Sequence, residues 1–163
     1  MLCDAYPDID LTVSDIRESI LHNLKKRFGE AGITRYKSKV VDLTAANPGP
    51  MGSGFDVIVA DVPCTGSGTW SRAPEQLCLF ERNRIDEYSS RQKKIVSNVI
   101  SQLKPVGHLL YITCSVFKKE NEEVVMFIRD NFHLDLVKME ILKGYDKKAD
   151  TMFAALLQKP LLS

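Results

Sequence analysis

Apolar positions along the chain switch between two periods, and each switch marks an element. "LTVSD" (11–15) is a short β-branched run closed by an acid and reads as a strand. In "DIRESILHNLKKRFGEAG", Ile16, Ile20, Leu24 and Phe28 recur four apart, the spacing of an amphipathic helix. Asp15, with Glu18 three residues on, has the form of a capping box, and Gly29 and Gly32 supply the stop. "YKSKVVD" (36–42) is a second strand ending in an acid, and "AANPGPMGSG" (45–54) a loop without period. "FDVIVA" (55–60) is almost continuously apolar, as in a strand covered on both faces. After a long loop from Asp61 to Pro74, Tyr88, Ile95, Val96, Val99, Ile100 and Leu103 form a helical stripe that "KPVG" (104–107) ends.

"HLLYITC" (108–114) is the next buried strand, and "KENEEVVMFIRD" a helix with Glu120, Glu122 and Glu123 at its positive end. "LDLVKMEIL" and "TMFAALLQK" close the chain as two strands, joined by a polar turn through Gly144 and Asp146. This alternation predicts an α/β fold: a doubly wound, mostly parallel sheet with a C-terminal antiparallel strand. The strands near 11–15, 36–41, 55–60 and 108–113 are the expected parallel set.

Composition narrows the class. A chain of 163 residues suits one domain, 1–163, and 44% hydrophobic with 26% charged residues is the balance of an ordinary globular protein. A net charge of +1 gives no general basic field, so nucleic-acid binding would rest on a local patch. No apolar run approaches a membrane span, and "MLCDAYPDID" has acids where a signal peptide needs a basic start. Cys3, Cys64, Cys78 and Cys114 therefore read as reduced, cytoplasmic thiols, with Cys3 and Cys78 as small core residues. The absence of CxxC or HxxxH spacing argues against a metal.

In an open parallel sheet, ligands bind outside the carboxyl ends of the strands. Asp15, Asp42, Asp61 and Cys114 close four predicted strands, and Cys64 follows Asp61 by three residues in "DVPCTGSGTW". Asp15 and Asp42 taken singly are also ordinary cap or loop acids. Asp61, between a buried strand and a proline, needs a partner for its carboxylate. Gly66 and Gly68 either let the backbone approach a ligand or simply turn the loop. Arg72, Arg82, Arg84, Lys118 and Lys119 are candidates for phosphate contacts, with a solvated charged face as the alternative.

"DVPCTGSGTWSRAPE" and "YITCSVFKKENEEVV" together resemble two signature blocks of the Nop/Sun-type (Fmu-like) RNA cytosine-C5 methyltransferases. "TVSDIRESI" is similar to that family's ribose-binding strand end, "KVVDLT" to its adenine-side acid and "ADTMFAALLQK" to its closing strand. The resemblance implies a Rossmann-like sheet and methyl transfer from S-adenosylmethionine to C5 of a cytosine in rRNA or tRNA. It implies Cys114 as the nucleophile, Cys64 as the residue that helps resolve the adduct, and Asp61 on the cytosine N3/N4 edge. Asp15, Asp42 and Asp61 fall at its cofactor positions. The target cytosine must be unpaired or flipped, because a stacked base is out of reach.

Only 14 residues precede Asp15 and none is a glycine, so the family's first strand and Gly-rich cofactor loop are expected to be missing, with Met1–Ala5 the tail of a helix. Loss of a central strand predicts exposed sheet edges, homo-oligomerisation through them and weak cofactor binding. Two alternatives stand beside this reading. One is a non-catalytic RNA-binding or assembly fragment of the same fold. The other is a DNA cytosine-C5 methyltransferase, which takes its nucleophile from the Pro-Cys block and has no use for Cys114.

Overall fold

The computed structural model describes residues 6, 8–49, 51–52 and 54–161. Cys3 and the expected helix tail at 1–5 lie outside these. Two compact units are present, Met1–Met51 and Gly52–Ser163.

In the first unit, β1 (Leu11–Asp15) pairs in parallel with β2 (Tyr36–Val40), from Leu11 opposite Tyr36 to Asp15 opposite Val40. The crossover helix α1 (Glu18–Glu30) starts after Arg17, which makes no side-chain cap. The expected Asp15–Glu18 capping box is therefore corrected. Asp15 is still held in the ladder, and its Oδ1 accepts the Arg17 backbone N–H at 2.8 Å and the guanidinium at 3.1 Å. At the other end Gly29 lies inside the helix. Gly32, at φ +71°, makes the left-handed exit, with Ile33 N–H closing onto the Phe28 carbonyl at 2.8 Å.

The second unit carries a four-stranded sheet in the order β3-β4-β6-β5. Its strands are β3 (Phe55–Asp61), β4 (Leu103–Thr113), β5 (Asp135–Leu142) and β6 (Met152–Gln158). β3 and β4 are parallel, and β6 runs antiparallel to both its neighbours. The expected parallel pairing with a C-terminal antiparallel strand is observed within this unit, while the four strands expected to be parallel in one sheet fall into two, β1-β2 and β3-β4-β6-β5. β4 begins five residues earlier than its apolar run suggested. "KPVG" does not end a helix: it bulges out of the β3–β4 ladder between Leu103 and His108, with Val106 at φ 57°.

The register shows which side chains share a face. Leu109, Tyr111, Phe153, Ala155 and Leu157 are each at most 1% exposed, against α3 (Arg84–Ile100) and α4 (Glu122–Phe132). Those helices contribute Val96, Val99, Ile100, Val124, Val125 and Ile128 to the same core. Each large apolar side chain buried here stabilises the unit by about 1.5–3 kcal/mol. Val57 and Val59, opposite His108 and Leu110, sit on the other face of the edge strand β3 and are 57% and 48% exposed. Cys78, expected in the core, is exposed: it ends a single-turn helix α2 (Glu75–Cys78) too short to bury a face.

Candidate active site

Strand register explains why the two cysteines meet. Asp61 is opposite Ile112, and Val62 N–H still reaches the Ile112 carbonyl at 3.2 Å. Cys64 is then three residues past the end of β3 and Cys114 one past the end of β4, on strands separated by about 4.8 Å. Their sulfurs are 3.2 Å apart. Both thiols are half-buried and free.

The loop between them is fixed by its glycines and serine. Gly66 takes the left-handed conformation at φ 72° and leads into a 3₁₀ turn, Ser67–Thr69. Gly68 N–H donates to the Cys114 carbonyl at 2.8 Å, and the Gly68 carbonyl accepts from Thr151 N–H at 3.0 Å. A Cβ on Gly68 would stand 2.0 Å from the Thr151 carbonyl oxygen. This glycine serves close packing of loop on strand end rather than a flexible turn. Ser67 is buried, its Oγ accepting Val116 N–H at 2.9 Å.

Beneath the loop lies a group that the sequence reading took for a helix-terminal charge. Glu120 is fully buried. Its Oε1 accepts Thr65 N–H at 2.9 Å and Gln92 Nε2 at 3.1 Å, and its Oε2 accepts Thr65 Oγ1 at 2.6 Å and Ser115 Oγ at 2.5 Å. Gln92 also donates to the Pro63 carbonyl at 3.0 Å. Asn121, equally buried, accepts from Thr113 Oγ1 at 2.6 Å and donates to the Ser115 carbonyl at 2.8 Å. Tyr111 Oη donates to the Glu120 carbonyl at 2.5 Å. One signal of this network was readable: Gln92 interrupts the apolar stripe of α3 between Tyr88 and Val96.

The electrostatics separate the two thiols. A hydrogen bond from Cys64 lowers the Cys114 thiol to about 7, against desolvation and the nearby Asp61 and Asp150 carboxylates. The same hydrogen bond, and then burial, push Cys64 well above the thiol range. Of the two, Cys114 is shifted in the direction that favours the thiolate and Cys64 in the direction that favours the thiol. Desolvation raises the Asp61 carboxyl above its ordinary value, the direction a proton-donating carboxyl needs.

In the first unit, Asp15 closes β1 with its carboxyl held below the ordinary range by Arg17. Asp42, two residues past β2, accepts Thr44 N–H at 2.8 Å and Thr44 Oγ1 at 2.6 Å. The cationic candidates divide. Arg72 makes a two-pronged pair with Asp150 at 2.9 and 2.6 Å, Lys119 pairs with Asp86 at 2.5 Å, and Arg84 lies over the Tyr88 ring at 5.8 Å. Among the described residues Arg82 and Lys118 make no salt bridge, and no group of His, Cys, Asp and Glu could hold a metal ion. No helix among the described residues is long and apolar enough to cross a membrane.

Comparison with known proteins agrees with this architecture. The chain is 29% identical over 133 residues to the ribosomal RNA small subunit methyltransferase F of Shewanella loihica, covering 80% of this chain and 26% of that protein. It is 30% identical over 126 residues to methyltransferase B of Shewanella oneidensis, covering 76% of this chain and 29% of that protein. The chain thus spans roughly a quarter of the length of these curated relatives. The crystal structure of PH0851 matches with a TM-score of 0.84 at 28% identity, covering 92% of this chain and 37% of that one. NSun6 from Pyrococcus horikoshii with SFG shares the fold, with a TM-score of 0.81 at 21% identity over 92% of this chain and 41% of that one. A family model described as 16S rRNA methyltransferase RsmB/F matches residues 7–158, and the chain belongs to that family.

Proposed function

We propose that this chain is the cysteine-bearing part of an RNA cytosine-C5 methyltransferase acting on ribosomal RNA. The observation that carries the reading is the pair of sulfurs 3.2 Å apart, at the carboxyl ends of adjacent parallel strands beside Asp61. C5 of cytosine is a weak carbon nucleophile. Addition of the Cys114 thiolate to C6 makes C5 enamine-like. Asp61, an exposed residue whose carboxyl partial desolvation raises, donates a proton toward N3 and compensates the charge that the thiolate brings. After methylation the C5 proton passes to water, the C6–S bond breaks with its electron pair leaving on the Cys114 sulfur, and the N3 proton returns to Asp61. Cys64, in contact with that sulfur and kept protonated, hydrogen-bonds the departing thiolate and so assists the release.

S-adenosylmethionine, when bound, supplies an electrophilic methyl group. The donor set fits its adenosine half: Asp15 and Asp42 are carboxylates at the ends of a parallel strand pair, where ribose hydroxyls and an adenine amine find acceptors. Arg17 occupies part of the Asp15 carboxylate, which as an acceptor-only group keeps a further lone pair for a ligand.

The test is a denaturing gel with labelled 16S rRNA fragments and S-adenosylmethionine, run on a longer chain that includes the cofactor loop expected upstream. Cys64→Ala should accumulate a covalent protein–RNA band, and Cys114→Ala should give none. The reverse pattern would make Cys64 the nucleophile and refute the assignment.

A further inference from the structure

We infer that Glu120 is a positioning residue that sets the contact between the two cysteines, by tying the residue after each to one carboxylate. The inference deepens the proposed reaction and rests on that reading for its purpose, though not for its test. A single oxygen of Glu120, Oε2, accepts the Thr65 hydroxyl at 2.6 Å and the Ser115 hydroxyl at 2.5 Å. Thr65 follows Cys64, and Ser115 follows Cys114. The loop after β3 and the end of β4 are therefore joined at one atom, through the residues that follow the two cysteines.

Oε1 extends the tie. It accepts the Thr65 backbone N–H at 2.9 Å and the Gln92 amide at 3.1 Å, and Gln92 in turn holds the Pro63 carbonyl at 3.0 Å. Cys64 is thus gripped on both sides, at Pro63 and at Thr65. Four donors converge on Glu120, and a carboxylate, which only accepts, satisfies all four. Its partners are neutral, and it is fully buried. A buried carboxylate without a cation is tolerated where hydrogen bonds saturate it, as here.

Placement matters because the Cys114 thiolate depends on its neighbour. The Cys64 thiol most strongly favours the thiolate and the backbone N–H of Cys114 itself favours it less, while burial, Asp61 and Asp150 oppose it, Asp150 being already paired to Arg72. Moving Cys64 away removes the largest favourable contact and leaves both carboxylates.

The test is site-resolved alkylation of Cys114 by iodoacetamide across pH, read by peptide mass spectrometry on the chain without RNA or cofactor. In the parent protein the midpoint should lie near 7. Glu120→Ala should raise it toward the free-thiol value of about 8.5, slowing alkylation at pH 7 about tenfold. Thr65→Val, which removes one of the four donors, should raise it part of the way. Glu120→Gln keeps the shape, and its amide can donate to the two hydroxyls, which reverse to accept; it should alkylate no more slowly than the parent.

A parent midpoint already at the free-thiol value overturns the inference, as does a Glu120→Ala midpoint equal to the parent's. A Glu120→Gln midpoint raised as far as that of Glu120→Ala would assign the effect to charge and overturn placement. If Glu120→Ala loses its circular dichroism, Thr65→Val decides, and a parent-like midpoint there overturns the inference. Failure of the RNA adduct assay with a positive result here would separate the two claims, since this assay needs no methyl transfer.

Discussion

Gly68→Ala adds one methyl group at the tightest point of the site. The new Cβ would stand 2.0 Å from the Thr151 carbonyl oxygen and 2.9 Å from that of Cys114. Non-bonded carbon atoms do not approach so closely, so one segment must retreat by about 1 Å. Either retreat stretches the Gly68 N–H bond to Cys114 (2.8 Å) or the Thr151 N–H bond to Gly68 (3.0 Å). Overpacking of this kind costs about 1–3 kcal/mol, and the one weakened hydrogen bond adds about 0.5–1.5 kcal/mol, about 1.5–4.5 kcal/mol together. With an m-value of about 1–3 kcal/mol/M, the urea midpoint of the second unit should fall by about 1–2 M. Trp70 is the only tryptophan and lies two residues along, so its fluorescence reports this unit. A midpoint within about 0.2 M of the parent's would refute the reasoning, because it would show that the loop accepts a side chain at Gly68.

Gly29 offers the opposite case: it lies inside α1 with open space where a Cβ would go, so Gly29→Ala should stabilise the first unit by about 0.5–1 kcal/mol in thermal or urea unfolding. Tyr111→Phe removes a buried hydroxyl that donates to the Glu120 carbonyl and should lower unfolding free energy by about 1 kcal/mol in urea. Cys64→Ala withdraws the S–H that favours the Cys114 thiolate but leaves Asp61 and Asp150. The Cys114 alkylation midpoint should therefore rise from about 7 to at least the free-thiol value of about 8.5, and an unchanged midpoint would refute the thiol–thiolate assignment. Hydrogen peroxide should convert Cys64 and Cys114 to a disulfide in preference to any pair with the exposed Cys78, through a sulfenic acid on the more reactive Cys114 that the Cys64 thiol displaces as water. Peptide mapping that finds Cys78 in the main product would count against this.

The strand ends were legible because strands of a parallel sheet are written as apolar runs, and "FDVIVA" and "HLLYITC" are such runs, although the expected cover on both faces fails for β3, whose Val57 and Val59 are exposed. Their shared register then brings Cys64 to Cys114, since two strands ending together present their following residues together. The start of β4 was hidden, because a bulge of Lys, Pro, Val and Gly has turn composition whether it ends a helix or interrupts a ladder. Cys78 misled for a related reason: its apolar neighbours Leu77 and Leu79 are themselves exposed, at 56% and 68%. Glu120 was invisible in kind, because an acid at the start of a helix reads as a dipole partner in solvent. Only the fold shows that this helix starts beneath two loops whose donors require an acceptor.

The polar groups of the site divide by what they do to the thiolate. Asp61 and Asp150 both oppose it, and no lysine or arginine is among the groups that act on Cys114. Arg72, one of the cationic candidates, is committed to Asp150 in a two-pronged pair. It thereby blunts one opposing carboxylate. The largest favourable contribution is a neutral thiol 3.2 Å away, ahead of the backbone N–H of Cys114. A hydrogen bond is short-ranged where a cation's field is not, so this design makes the reactivity of Cys114 depend on the position of Cys64 to within a fraction of an ångström. That dependence gives the dense hydrogen bonding around Glu120, Gln92, Ser115 and Asn121 a chemical purpose. A loop free to move by 1 Å would return Cys114 to an ordinary, mostly protonated thiol at neutral pH.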